Sequence, residues 1–314
     1  MKKKILGIAL VFAMLVPISA CAKKATVDSL FKDSEKALGK VDSYEAEMYI
    51  ELDASLVMDT VSVGLKADSE INAEVTEDGM YLSGNMNIEI PMQGNQSVDF
   101  EMYGLNEKDE ITVYASDGSE WTKTVVEGED YEGFSTLLDT TQPEAMMSLL
   151  SNYADEFDLD KKLEKVNKED AYVLTGKVDG MILVDWIKDS ELDASVDDIE
   201  EMLETLADEG IDLEDYEAEV SIWINKKSSL PAKIEIDFAG MLSALFEDAM
   251  ATVGEEVMQG MEFEIDITTA TVSVVFSEVN KVDAIKVPKK VEDAAVEMDE
   301  DDLMGIVDEF SIPL

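Results

Sequence analysis

Tyr44-Glu45-Ala46-Glu47-Met48-Tyr49-Ile50-Glu51-Leu52-Asp53-Ala54 alternates strictly between two kinds of residue. Successive side chains of a strand point to opposite faces. Ala46, Met48, Ile50, Leu52 and Ala54 therefore share one face, and Glu45, Glu47, Tyr49, Glu51 and Asp53 share the other. One side is to be covered and the other left in water. The same period returns in Val61, Val63, Leu65 and Ala67, continuing through Ile71, Ala73 and Val75. A turn at Glu77-Asp78-Gly79 leads into Met80, Leu82, Met86, Ile88 and Ile90, closed by Pro91. Val98, Phe100 and Met102 make a fourth strand, and Ile111–Ala115, Asp117-Gly118 and Trp121–Val125 make a hairpin. Successive hairpins of this kind predict a large antiparallel sheet with one covered face.

Helical periods flank and interrupt these strands. Asp28 to Leu38 reads as a helix, with Gly39 placed to end it as a left-handed cap. Thr141 is set to cap a helix running through Pro143, Met147, Leu150 and Tyr153. Ser195 is set to cap another, whose Val196, Ile199, Met202, Leu203 and Leu206 share a face. Tyr172, Leu174 and Gly176 return to strand, and Val220–Ile224 with Pro231–Phe238 form a further hairpin. Met241, Leu242, Leu245, Ala249 and Met250 predict a third main helix, followed by a long strand from Phe263 to Phe276. Leu303–Val307 reads as a short helix in an acidic tail. With no repeat and no Ser/Gly/Pro linker, a single α+β domain accounts for the pattern.

The amino terminus carries an address. Lys2-Lys3-Lys4, the apolar run Ile5–Val16 and the small residues Ser19-Ala20 have the anatomy of a secretory signal. That apolar run is too short to cross a bilayer as a helix, which takes about 20 residues. Ile18-Ser19-Ala20-Cys21 resembles the lipobox of bacterial lipoproteins, which implies diacylglyceryl attachment at Cys21, the only cysteine. The organisation expected is a signal peptide over 1–20, lipidated cysteine and tether over 21–27, a domain over 28–290 and an acidic tail over 291–314. The expected location is the outer face of the cytoplasmic membrane, in a Gram-positive envelope.

Composition removes whole classes of chemistry. Cutting after Ala20 takes three lysines, leaving 21 basic residues against 72 acidic ones, a formal charge of −51. Every basic residue is lysine; arginine and histidine are absent. There is accordingly no planar fork for phosphate, no imidazole ligand and no Ser-His-Asp triad. Nucleic acid is excluded as a partner because phosphate attraction needs a basic face. Lipidation would consume the one thiol, and attachment would rest on acyl chains, since the charge repels anionic headgroups. No enzymatic activity, cofactor or metal site is expected. The Asp189-to-Glu200 segment approaches a calcium loop, but Ala194 stands where that loop needs glycine, and Ser195 as a helix cap accounts for the same residues.

Ser221-Ile222-Trp223-Ile224-Asn225-Lys226-Lys227-Ser228-Ser229-Leu230-Pro231-Ala232-Lys233 resembles a hairpin of the LolA/LppX-like bacterial lipoprotein superfamily. Val274-Val275-Phe276-Ser277-Glu278-Val279-Asn280-Lys281-Val282, with Val287-Pro288, is similar to that family's closing strand, and Ser43-Tyr44 to its opening one. The resemblance implies a strongly curved antiparallel sheet, a half-barrel, with helices packed on its concave face. It also implies an apolar cavity for an acyl lipid or lipoprotein ligand, in a monomer held to the membrane by its anchor. The family's chaperone branch ties its opening to an arginine on the early strands; without arginine, that switch does not transfer.

The candidates to line such a cavity are Met48, Met80, Met86, Met102, Met147, Leu150, Met241 and Leu245. Methionine is flexible and polarizable, suited to an adaptable apolar wall, and equally suited to filling gaps in a core. Trp121, Trp186 and Trp223 fit a lipid or sugar groove, and two of them fit cross-strand packing in hairpins. Two rival functions stay open: an interaction module with a filled core whose acidic face meets a basic protein or wall component, and an enzyme acting on wall glycans through paired carboxylates.

Overall fold

The computed structural model describes residues 25–58, 61–91, 94–107, 110–127, 143–182, 184, 210–252 and 263–298. The elements in chain order are α1 (Val27–Leu38), β1 (Ser43–Met58), β2 (Val61–Thr76), β3 (Gly79–Ile90), β4 (Gly94–Glu107), β5 (Glu110–Ser116), β6 (Trp121–Glu127) and α2 (Pro143–Ser151). Then follow β7 (Phe157–Leu159), β8 (Glu164–Val166), β9 (Glu169–Asp179), β10 (Glu217–Asn225), β11 (Pro231–Asp237), α3 (Ala239–Thr252), β12 (Phe263–Ser277), α4 (Lys289–Glu292) and β13 (Val296–Glu297).

All the strands join one open sheet in the order β13-β6-β5-β4-β3-β2-β1-β12-β11-β10-β9-β7, with β8 beside β9. Two meanders meet at its centre, where β1 pairs antiparallel with both β2 and β12. The architecture is the expected α+β half-barrel with helices on its concave side. β13 is the exception to the antiparallel rule, pairing parallel to β6. Edge strands of three and two residues leave little backbone for a stray chain to pair with.

Register converts the alternating sequence into two faces. Leu174, Ile222, Ile234, Val274, Met48 and Ile71 lie opposite one another across six strands. The next row of the same face runs Ile236, Val272, Ile50, Ser69, Met86 and Val98. The opposite face repeats acids: Glu51 faces Asp68, and Glu45 faces Glu74.

The helices are built locally. Thr26 caps α1, its hydroxyl accepting from the Ser29 amide at 3.3 Å while the Ser29 hydroxyl accepts from the Thr26 amide at 3.0 Å. Leu30, Phe31 and Leu38 put one side of α1 into the core. Gly39 does not form the expected left-handed cap; its φ is −60°. The helix unwinds through tighter turns instead, Lys40 N–H to Ala37 O and Val41 N–H to Leu38 O, so its last carbonyls are satisfied without a positive φ. α2 stops at Ser151, two residues short of Tyr153, which begins a 3₁₀ turn over Ala154–Glu156. Thr141, the Ser195 helix and Leu303–Val307 lie outside the described residues.

Candidate functional site

The concave face divides into two parts. Over β7 and β9–β12, α1, α2 and α3 close down on the sheet. Leu30, Phe31, Met147, Leu150, Phe157, Leu174, Ile222, Ile234, Met241 and Phe276 are buried in one continuous cluster. Phe31 meets Phe157 edge to face at 5.5 Å, and Tyr44 meets Phe276 at 6.1 Å. Tyr216 ties α3 down, its hydroxyl donating to Asp248 at 2.7 Å; that bond, with burial, pushes the Tyr216 hydroxyl up to about 12. Burial pushes the Tyr44 hydroxyl up to about 12 as well.

The second part is the apolar face of β2–β4 and the far half of β1. Ile50, Leu52, Leu56, Val63, Ile71, Met86, Ile88 and Phe100 are only half-buried there, and Leu65 and Val98 are exposed at 39% and 37%. Its floor is shaped by Gly84, opposite Phe100. A Cβ at Gly84 would stand 2.8 Å from Phe100 Cζ and 2.5 Å from the Glu70 carbonyl oxygen. The edge of the ring therefore occupies the place of the missing side chain. Sequence reading passed over this pair, although a glycine inside an alternating strand is a sign that something approaches closely. Phe157 lies on Gly176 in the same way, 2.9 Å from a Cβ built there.

Asn280 was also overlooked. Its Oδ1 accepts from the Asp42 amide at 2.7 Å, and its Nδ2 donates to the Lys40 carbonyl at 3.0 Å. With φ at 57°, it clamps the exit of β12 to the link between α1 and β1.

The predicted lining residues separate accordingly. Met147 is 0% exposed, and Leu150, Met241 and Met80 are buried. Met48 and Leu245 pack against the main cluster. Met80 fills the space beside Gly104, and Met102 packs on a small cluster of Ile111, Val113 and Val126. Met86 alone of the eight stands on the open part, opposite Ser69 and Val98. Trp121 joins Tyr81 and Tyr103 on the acidic face, and Trp223 donates to Glu164 at 2.9 Å with Lys233 over its ring. Trp186 and the Asp189–Glu200 segment lie outside the described residues. Among the described residues, no group of ligating side chains is arranged to hold a metal ion.

A recess of about 10 Å³ lies at the seam between α1 and the sheet, lined by Leu38, Val41, Tyr44, Pro143, Leu230, Pro231, Phe276 and Val279. Small-molecule pockets run to about 300–1,000 Å³. The recess is too small for a long acyl chain.

One protein family matches the chain over residues 26–296, a range that takes in both meanders of the sheet. The chain belongs to DUF6612, a family of unknown function. No curated protein matches it. Among solved structures, LprF from Mycobacterium bovis is similar at 12% identity and a TM-score of 0.39, covering 83% of this chain and 96% of that one. The Mycobacterium tuberculosis lipoprotein LppX aligns at 11% identity and a TM-score of 0.34, over 83% of this chain and 98% of that one. A DUF1329 family protein from Desulfovibrio piger aligns at 10% identity and a TM-score of 0.19, over 83% and 93%. At such scores none of them assigns a ligand to this DUF6612 chain. Among its described residues no helix is long and apolar enough to cross a membrane.

Proposed function

We propose that this DUF6612 protein is a lipid-anchored extracytoplasmic lipoprotein that binds an apolar ligand, an acyl lipid or lipoprotein, without catalysis. The observation that carries this reading is the unequal cover of the concave face. Helices seal one half, while Leu65, Met86, Ile88 and Val98 leave an apolar strip partly open on the other. Contiguous exposed apolar surface marks a site of binding far more often than chance, because it is costly to leave in water. Partition onto it would supply roughly 25 cal/mol per Å² buried, less the ordering cost of the ligand. Lipidation at Cys21 would keep the strip beside a supply of acyl chains.

Purification from membranes followed by mass spectrometry of bound lipid tests the reading, together with uptake of a fluorescent fatty acid. A bound acyl species and saturable uptake are expected; neither appearing overturns it. A second reading, an interaction module with a filled core, is favoured by the small size of the seam recess and the full enclosure of Met147 and Leu174. It predicts no lipid uptake, with salt-sensitive binding of a basic protein instead.

A further inference from the structure

Lysine is unevenly spread over this molecule. Four links meet at the end of the sheet where β1 begins and β12 stops: residues 40–42 before β1, 160–170 around β8, 225–229 between β10 and β11, and 278–281 after β12. They hold eight of the 21 lysines and six of the 72 acids that follow Ala20. Elsewhere in the mature chain acids outnumber lysines about five to one. At the same end the other meander turns through Glu77-Asp78, so the basic set belongs to the sealed half.

Hydrogen bonds tie the four links into one rim. The Lys226 amide donates to the Asp170 carbonyl at 2.9 Å, Asn167 Nδ2 to the Phe276 carbonyl at 3.2 Å, and Asn280 Nδ2 to the Lys40 carbonyl at 3.0 Å. Four of the acids are engaged inside the rim: Asp170 by Lys165 at 2.9 Å, Glu278 by Lys281 at 3.2 Å, Glu164 by Trp223 Nε1 at 2.9 Å, and Glu169 by Asn225. Lys40, Lys161, Lys162, Lys168, Lys226 and Lys227 are exposed and form no ion pair among the described residues. From β8 to β1 the rim crosses five strand spacings, about 24 Å.

We infer that this lysine rim docks on the anionic headgroups of a lipid bilayer, a second contact beside the acyl anchor. The inference rests on the reading of Cys21 as the anchor. Ammonium groups are point charges, and six of them spread over such a width suit a plane of many anions, not one phosphate. Each contributes about 1 kcal/mol near an anionic leaflet. Net charge alone would repel that leaflet. Exposed charges more than about 8 Å away are screened at physiological salt, however, so the leaflet meets the rim and not the acidic remainder. The tether permits the contact. Phe31 of α1 lies on Phe157 of β7, four residues before Lys161. Cys21 stands within about 25 Å of Phe31, along five extended steps and the first turns of α1.

Full-length protein matured in a host that lipidates Cys21 keeps an introduced cysteine as its one thiol. A fluorescent donor is placed on the rim at Ser228→Cys or, separately, at Ser62→Cys, with headgroup-labelled lipid in the vesicle as acceptor. Both serines are exposed, and the 16 residues of β1, about 50 Å, separate the ends they report. On vesicles rich in phosphatidylglycerol, energy transfer is expected to be higher from Ser228 than from Ser62. High salt is expected to abolish that difference while the protein stays on the vesicles. So is the combination of Lys161→Gln, Lys162→Gln, Lys168→Gln, Lys226→Gln and Lys227→Gln. Retention with equal transfer from both ends, or a difference that persists unchanged on phosphatidylcholine, overturns the docking alone. Capture of soluble polyphosphate that the five-lysine variant loses, with no effect of phosphatidylglycerol on transfer, also overturns it and assigns the rim to a dissolved polyanion. Two labels per chain and no retention on phosphatidylcholine vesicles would show Cys21 unmodified, overturning the anchor reading and the docking that depends on it.

Discussion

Leu174 and Leu65 point to the same face of the same sheet, yet Leu174 is fully enclosed and Leu65 is 39% exposed. Both sit inside strands, Leu174 between Tyr172 and Gly176 on its face and Leu65 between Val63 and Ala67. What separates them is what lies above: α1, α2 and α3 over β9–β12, a cluster that reaches β2 only at Ala73 among its described residues. The sealed half supplies the stability that lets the other half leave apolar surface incompletely covered. Division of labour between a rigid scaffold and a less stable binding surface is the general pattern for sites of this kind.

Three measurements break or sharpen this contrast. The largest effect is expected from Leu174→Ala, which empties a fully enclosed position and should lower unfolding free energy in urea by about 3–5 kcal/mol. A loss below about 1 kcal/mol would show that the sealed half relaxes as easily as the open one.

Next is alkaline pH. Tyr44 belongs to the sealed half, and burial raises its hydroxyl from 10.0 to about 12. A tyrosine is neutral when protonated, so a raised folded-state value means the stability it contributes is complete below pH 10 and is lost as pH climbs from 10 through about 12. Tyr44→Phe should remove roughly 2–3 kcal/mol of the stability loss over that range, visible as an alkaline unfolding midpoint moved upward. An unchanged midpoint would mean the Tyr44 hydroxyl ionises without opening the seam.

The smallest stability effect is expected on the open half. Leu65→Ser and Val98→Ser should each change unfolding free energy by no more than about 1 kcal/mol, while reducing fatty-acid uptake. Losses as large as that of Leu174→Ala would mean these residues are core, and the open half is not open.

Much of the architecture was legible from residue order. Period-two alternation from Tyr44 to Ile90 located β1–β3, because every second residue there must choose between water and core. The helical period from Asp28 to Leu38 located α1 to within one residue of its start at Val27, and the Trp223 hairpin fell where its Leu-Pro turn placed it. Short elements were not legible. β7 and β8 have three residues each, too few to show a period, and exist because β9 offers them partners. β13 likewise is strand only because β6 lies beside it. Gly39 carried a misleading signal: glycine permits a left-handed cap without requiring one, and the turn into β1 at the Asn280 clamp demanded a different exit.

The methionines show where residue type stops being informative. Met86 and Met147 have the same chemistry and both stand on apolar faces, but one is on the open strip and the other has no exposed surface at all. No local pattern separates them, because exposure depends on which helix comes to rest above each strand. By itself the sequence determined the alternation, and with it the sheet, its two faces and their unlike chemistry; it also determined the absence of imidazole and guanidinium, and the single cysteine. Only the tertiary structure decided which half of the apolar face is sealed and that the Phe100 ring takes the place of a side chain at Gly84. Alternation is a property of neighbours along the chain, whereas cover is a property of elements far apart in it.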